Sequence, residues 1–552
     1  MGPKFVRSHA VDLVLVGVLL FAGTLLVRNW IVGSGPRLKP VNHPSLDALE
    51  PVSRRHIQAV RHTSEQALGT RDASRRERAA AFGKMGSVYL AYDFSPAAGD
   101  CFRNAGALEP DEFRWPYLQA RALLNSGKTA EAAAAMTQSL KLMDSVTVDP
   151  AVRLAALSLL GESAVRLNRP TDARKRFEAA LQVEPDAPFA LVRLGQLASR
   201  AGDSDRAITY FQRALAVLPN RAEIRSLLAA EYRRHGDAVR ADLIAPASDA
   251  NRKDQPLSYA DPIYASVMEL NQSGAWQNRL GAESFRVGRW RWALVHFKRA
   301  VDANPGLAQA RANYGRTLLI LGNVQVAQKQ LEEAYRGDPQ SGEIHASLCS
   351  AWAALPATRQ KALADALAWR RQQPGQLEPI SSLADVYMRL GRYSDALGVF
   401  AEWEHRSPAD TQPRIGRARM LAALGRNRDA RQTLEEALRI FPSDPDLRLN
   451  LARFLVAGAD TKVRDGKRGL ELSQELLDSQ YSVVRAETLS LALAANGRWD
   501  EAAKIQRRAI NDCGEDGDPS LRERLPRVLR CIESRQVWRE QWPFREIDKR
   551  VN

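Results

Sequence analysis

What most constrains this chain is a set of residues that returns every 34 positions. Gly281, Ala293, Phe297, Ala300 and Pro305 are answered, each 34 residues on, by Gly315, Ala327, Leu331, Ala334 and Pro339. Residues 188–221 show what one such unit does. Leu191, Leu194, Gly195 and Ala198 share one helical face, Gly202 interrupts the pattern, and Ala207, Phe211, Ala214 and Leu215 mark one face of a second helix. A glycine supplies the left-handed residue that ends a helix. Pro219 closes the unit because proline cannot donate the next helical hydrogen bond. The small residues Gly195, Ala207 and Ala214 let two helices come close while Phe211 fills the space between them. A single hairpin cannot bury its own apolar face, so the period predicts paired helices stacked in series.

The same marks recur along most of the chain. Upstream stand Gly86, Tyr89, Ala98, Phe102, Ala105 and Pro110, then Gly161, Ala173, Phe177, Ala180 and Pro185. Downstream come Ala384, Ala396, Phe400 and Pro408, followed by Ala418, Ala430, Leu434, Ala437 and Pro442. The turns between helices carry Gly127, Gly202, Gly236, Gly288, Gly322, Gly391, Gly425 and Gly497, with Asn168 as the other residue that tolerates positive φ. Over residues 79–516 this arrangement resembles the tetratricopeptide repeat (TPR) family, in its bacterial, membrane-anchored form. The resemblance implies an all-α, right-handed solenoid of about ten to twelve hairpins whose first helices line a concave groove. It also implies a role in holding protein partners, without cofactor or catalysis.

Composition agrees with such a fold. The 552 residues are too many for one compact core, but a solenoid grows by adding units. With 45% hydrophobic and 26% charged residues the chain is globular rather than disordered. The net charge of +15 favours acidic partners: anionic lipid, an acidic polysaccharide or an acidic protein segment. Solvated helix faces of an Arg-rich chain account for the same charge. Nucleic acid is not expected, because no dedicated motif accompanies the charge. Four cysteines do not make a disulfide scaffold.

Seven regions follow in order. Residues 1–10 form a basic tail, and residues 11–32 an apolar stretch of the length needed to cross a bilayer as one helix. A cleaved signal peptide is the competing reading, although Thr24 stands where a lipoprotein would have its lipidated cysteine and Pro36 follows the small residues Gly33, Ser34 and Gly35. Lys4 and Arg7 favour a cytoplasmic N-terminus, with the repeats on the non-cytoplasmic side of a bacterial inner membrane; Arg28, Arg37 and Lys39 weaken that bias. Residues 33–78 read as a Pro-rich spacer and leading helix, 79–245 as a first array, and 246–273 as a linker, either a hinge or an extra helix around Tyr264 to Leu270. Residues 274–516 form a second array and 517–552 a capping helix and tail, which covers the apolar end of the stack.

Catalytic chemistry finds little support. Residues 122–129 (ALLNSGKT) match a loose phosphate-loop pattern, but that loop needs a preceding strand, and Gly127 is here the turn between two helices. No HExxH, HxH, CxxC or GxSxG spacing is present. His235, His296, His345 and His405 fall one per repeat as ordinary helix or turn residues. Cys101 and Cys349 sit at packing positions, and Cys513 and Cys531 are either two thiols or a bridge. Trp290, Trp292, Trp352 and Trp403 follow helical spacing, as packing residues do.

Recognition is the chemistry that remains. Positions that face the groove in the family correspond here to Arg193, Gln196 and Arg200, then Arg233 with its neighbour Arg234. In the second array they correspond to Asn278, Arg279, Arg286, Asn313, Arg316, Asp385, Arg389 and Arg419. Arginine forks onto carboxylates and asparagine amides bond a peptide backbone, so these residues suit an extended or acidic peptide. The family's carboxylate clamp for chaperone tails is incomplete, since Ala282, Glu343 and Ser347 stand at its other positions. The expected function is a membrane-tethered scaffold for protein partners. The alternatives are an accessory for binding or export of an acidic exopolysaccharide, and a regulatory subunit of an enzyme.

Overall fold

The computed structural model describes residues 36, 38–219, 221–245, 257–458, 460–479, 481–514 and 518–539. The chain opens with α1 (Pro51–Gly69) and the hairpins α2/α3 (Arg75–Ala91, Ser95–Leu108), α4/α5 (Arg114–Asn125, Thr129–Met143) and α6/α7 (Pro150–Arg166, Pro170–Val183), followed by α8 (Pro188–Arg200). Next come α9 (Ser204–Val217), α10 (Ala222–Arg234), α11 (Ala238–Ile244) and the short α12 (Pro262–Met268). The hairpins α13/α14 (Gly274–Arg286, Trp290–Ala303), α15/α16 (Ala308–Ile320, Val324–Gly337) and α17/α18 (Gly342–Ala354, Arg359–Gln372) follow. Then come α19/α20 (Glu378–Arg389, Tyr393–Arg406), α21/α22 (Gln412–Ala423, Asn427–Ile440), α23/α24 (Pro445–Ala457, Gly466–Ser479) and α25/α26 (Val483–Ala495, Trp499–Cys513), with α27 (Pro519–Glu533) last. Among the described residues the structure is all-α and no helix is long and apolar enough to cross a membrane; the anchor expected at 11–32 lies outside them.

The turns form as the sequence requires. All eight expected turn glycines adopt positive φ, from +70° at Gly391 to +87° at Gly236, and Asn168 does so at +54°. Gly127 is among them at +76°, inside the turn that joins α4 to α5, so the phosphate-loop-like stretch is the end of one helix and the start of the next. Side-chain caps fix several starts. Ser74 and Glu77 exchange hydrogen bonds as a capping box at α2, and Asp149 accepts from the Ala151 amide where the period slips before α6. Between paired helices Phe102, Phe177 and Phe297 are buried, at 0–1% exposure.

Contacts divide the chain into two compact units. Among the described residues the first holds 36–48, 55–203 and 257–271, and the second holds 49–54, 204–245 and 272–539. These limits differ from the arrays read from the sequence: α9 to α11 group with the later repeats, and the expected linker contributes its second half to the first unit. The segment 257–271 carries a real helix, α12, which packs on α2, α4 and α6. Within each unit the first helices of neighbouring hairpins also touch directly, as α2 does α4, α13 does α15, α17 does α19 and α23 does α25. First helices thus lie side by side in part of each unit.

One smaller expectation is corrected, and one choice left open by the sequence is answered. Trp292 is 51% exposed rather than packed, whereas Trp352 is buried and donates its Nε1–H to Glu332. Cys513 and Cys531 are both free thiols, like Cys101 and Cys349.

Candidate functional site

On the first-helix face of the second unit, six of the expected polar residues take part in side-chain hydrogen bonds. Asn313 Nδ2 donates to Asn278 Oδ1 at 2.9 Å, and Arg316 donates both to Asn313 Oδ1 and to Glu343 on the next first helix. Gln309 Nε2 approaches the same Glu343 carboxylate at 3.4 Å. On α19, Arg389 Nε donates to Asp385 at 2.8 Å, and Ser350 of α17 donates to that carboxylate as well. Arg419 on α21 donates to Asn450 at 3.0 Å, and its burial pushes the guanidinium down from its ordinary value. Asp385 and Arg419 line a cavity of about 220 Å³ together with Met388, Trp403, Gln412 and Ile415.

Other expected residues stand apart from that row. Arg279 lies over the Trp276 ring at 4.3 Å and reaches Glu283 at 3.4 Å, and Arg286 is exposed at the end of α13. Arg233 turns to Asp242 of α11 at 3.2 Å, and Arg234 pairs with the buried Glu231. The face is therefore mixed in sign: Glu343 and Asp385 already partner Arg316 and Arg389. Amide and guanidinium donors lie beside carboxylate acceptors, a set that reads a peptide backbone and charged side chains of either sign.

The first unit presents a different picture, because its first-helix face is covered by the chain itself. Arg193 of α8 bonds Glu162 of α6 and Gln196, and its guanidinium lies 5.1 Å from the Phe189 ring; Arg200 is exposed at the helix end. The Tyr259 ring meets Phe189 edge-on at 5.0 Å. Arg121 of α4 is ion-paired with Asp261, and its guanidinium lies 5.5 Å from the Tyr259 ring and 4.8 Å from the Tyr264 ring. Tyr117, one turn earlier on α4, is fully buried, and burial together with the Asp261 carboxylate pushes its hydroxyl up. Asn271 Nδ2 donates to the Ala91 carbonyl at the end of α2, at 2.7 Å.

Family comparison gives these repeats their name. Tetratricopeptide repeat models match residues 158–222, 192–242, 279–343, 380–411 and 412–454. These stretches are tetratricopeptide repeats. Solved structures of similar fold include yeast Tom70, 14% identical over 77% of this chain and 90% of that one, with a TM-score of 0.35. They also include MamA of Desulfovibrio magneticus RS-1, 18% identical over 35% of this chain and 94% of that one, with a TM-score of 0.27. YrrB, described as a TPR protein with an unusual peptide-binding site, is 13% identical over 47% of this chain and 96% of its own, with a TM-score of 0.27. A repeat array of this family is a scaffold for protein interaction.

Sequence reasoning passed over three groups in this chain. Arg121 stands six residues before its turn glycine Gly127, as Gln196 stands before Gly202, so repeat register alone would have marked it as facing the first-helix side. Asp261 had no such signal, since it lies outside the period. On α17 and α18, His345 Nε2 and Asp365 Oδ2 are 2.5 Å apart, and Cys349 Sγ lies 3.5 Å from the same oxygen. Among the described residues these three are the group whose ligand atoms gather closely enough to hold a metal ion. Here they satisfy one another: Asp365 is held low by His345, and burial with the Asp365 charge pushes the Cys349 thiol up. The His345 ring is stacked on Trp369 at 4.2 Å. A third group is the buried carboxylate of Glu487, gripped by Arg453 and Arg524.

Proposed function

We propose that this protein is a non-catalytic scaffold, tethered to a bacterial inner membrane by residues 11–32, that gathers protein partners on the first-helix face of its second unit. The observation that carries this reading is the row from Asn278 through Asn313 and Arg316 to Glu343, resumed by Asp385, Arg389 and Arg419. It sets paired donors and acceptors along successive first helices of a TPR array. An extended peptide needs such a surface: its amides and carbonyls find asparagine amides, and its charged side chains exchange with Arg316–Glu343 or Arg389–Asp385. The apolar stretch at 11–32 supports the tether, and Lys4 with Arg7 supports repeats on the non-cytoplasmic side. Carriage of an acidic polysaccharide is less favoured, because Arg316 and Arg389 already face carboxylates.

The test compares the full chain, a chain lacking residues 1–35, and an Asn313→Ala/Arg316→Ala variant. The full chain should stay with membranes through an alkaline wash, while the shortened chain is released. Both should hold the same partner from detergent-solubilised membranes, with the double variant at least tenfold weaker. Retention of the shortened chain after the wash would remove the tether from the reading. Undiminished capture by the double variant would remove the row. Protease accessibility in intact cells reports the side: protection of the repeats from protease added to the periplasm would reverse the orientation.

A further inference from the structure

The face of the first unit already holds a peptide, and that peptide is part of the chain. We propose that residues 257–271 are a ligand in cis for the first-helix face of α2, α4, α6 and α8. We further propose that this face accepts from a partner protein a segment carrying an aromatic residue two positions before an Asp-Pro pair. The proposal rests on the scaffold reading above and extends it to the first unit.

The segment is bound in the way a recognised peptide is bound. From Leu257 to Asp261, ahead of α12, the residues alternate: Leu257, Tyr259 and Asp261 are part-buried, while Ser258 and Ala260 are exposed. A period of two is that of an extended chain lying on a surface, with alternate side chains turned inward. Two of the inward groups, Tyr259 and Asp261, meet matched receptors. Tyr259 packs edge-on against Phe189, and the Asp261 carboxylate divides its oxygens, one accepting from Arg121 and the other capping α12 through the Tyr264 amide at 2.9 Å. The Tyr264 ring also lies against Arg121, Val267 is buried, and Asn271 is tied to the Ala91 carbonyl.

Packing alone would not call for this chemistry. Taking Arg121 and Asp261 out of water is unfavourable unless their geometry is good, so a strut evolved only to fill space is better built from apolar groups. A guanidinium within 5.5 Å of two tyrosine rings and paired with one carboxylate selects among sequences, since loss of the carboxylate leaves a buried charge unpaired. Because the segment belongs to the same chain, it competes with any partner at an effective concentration of the order of millimolar. Access to this face is therefore limited to partners that displace it.

The probe is a fluorescent synthetic peptide of residues 257–271, LSYADPIYASVMELN, added to the full-length protein. The wild-type chain should bind it weakly. A Tyr259→Ala/Asp261→Asn chain, altered in the resident segment but not in the receptor, should bind it at least tenfold more tightly. Adding Arg121→Ala to that chain, or replacing the aspartate of the peptide by asparagine, should abolish the gain. No binding to a double variant that circular dichroism shows to be folded overturns the proposal, and the segment is then a fixed part of the fold. Should that variant not fold, hydrogen exchange on the wild-type chain decides. Excess peptide should deprotect amides 257–271, and unchanged protection refutes the exchange. A wild-type dimer that the peptide dissolves would assign the trans occupant to a second copy and overturn the partner class. Capture through Asn313 and Arg316 in the second unit is indifferent to all these outcomes, so failure here and failure of the scaffold reading are told apart.

Discussion

Gly161 shows how much of this solenoid turns on a side chain that is not there. It lies on α6 where α7 crosses, and a Cβ added to it would sit 2.5 Å from the Phe177 ring. Helix propensity alone would favour alanine there by about 1 kcal/mol. Overpacking against a fully buried ring costs about 1–3 kcal/mol, and the ring, held also by Phe189 at 6.2 Å, has little room to yield. Gly161→Ala should therefore lower the urea midpoint, and adding Phe177→Leu should restore most of the loss. A single variant as stable as wild type would show that the two helices separate freely. Gly202 is a glycine for another reason: nothing lies within 4 Å of its missing Cβ, and its φ of +80° sets the residue.

At the scale of helices, the end of the second unit is tied by one carboxylate. Glu487 on α25 is 0% exposed and accepts from Arg453 of α23 at 2.8 Å and from two nitrogens of Arg524 of α27 at 2.8 and 2.9 Å. Burial would raise its pKa, but the two guanidiniums outweigh burial and hold it below the ordinary glutamate value. A folded-state value below the unfolded one stabilises the fold fully above the unfolded value, roughly 4.3, and that share is lost as pH falls through the folded value. Glu487→Gln leaves two buried guanidiniums facing a neutral amide and should lower stability at pH 7 by about 3–5 kcal/mol. The variant should also lose less than wild type on acidification, measured as urea midpoints at pH 7 and at pH 3. Parallel pH curves for the two chains would rule out the tie.

Across the whole molecule, hairpins contact mainly their neighbours in sequence, and the chain sorts into two compact units. Stability in such a stack is a sum of units and interfaces rather than one all-or-none core. Thermal unfolding should therefore depart from two-state behaviour, with a calorimetric enthalpy clearly above the van't Hoff value. Equality of the two would mean that the units melt as one.

The repeats were legible before any coordinates, because their determinants are local and periodic. A glycine or asparagine at positive φ, a small residue facing a Phe, and a closing proline each act within one hairpin, and 34-residue recurrence makes them visible together. The row of groove residues was legible in part, since register places Asn278, Asn313, Arg316, Glu343 and Asp385 on first helices but does not say which of them pair. Only the tertiary structure decided that Asp261 reaches back 140 residues to Arg121, that Arg453 and Arg524 converge on Glu487, and that His345, Cys349 and Asp365 share one spot. Those pairings cross between elements, where no spacing rule applies, and they exist because a buried charge or polar group must find its partner wherever the packed helices bring one.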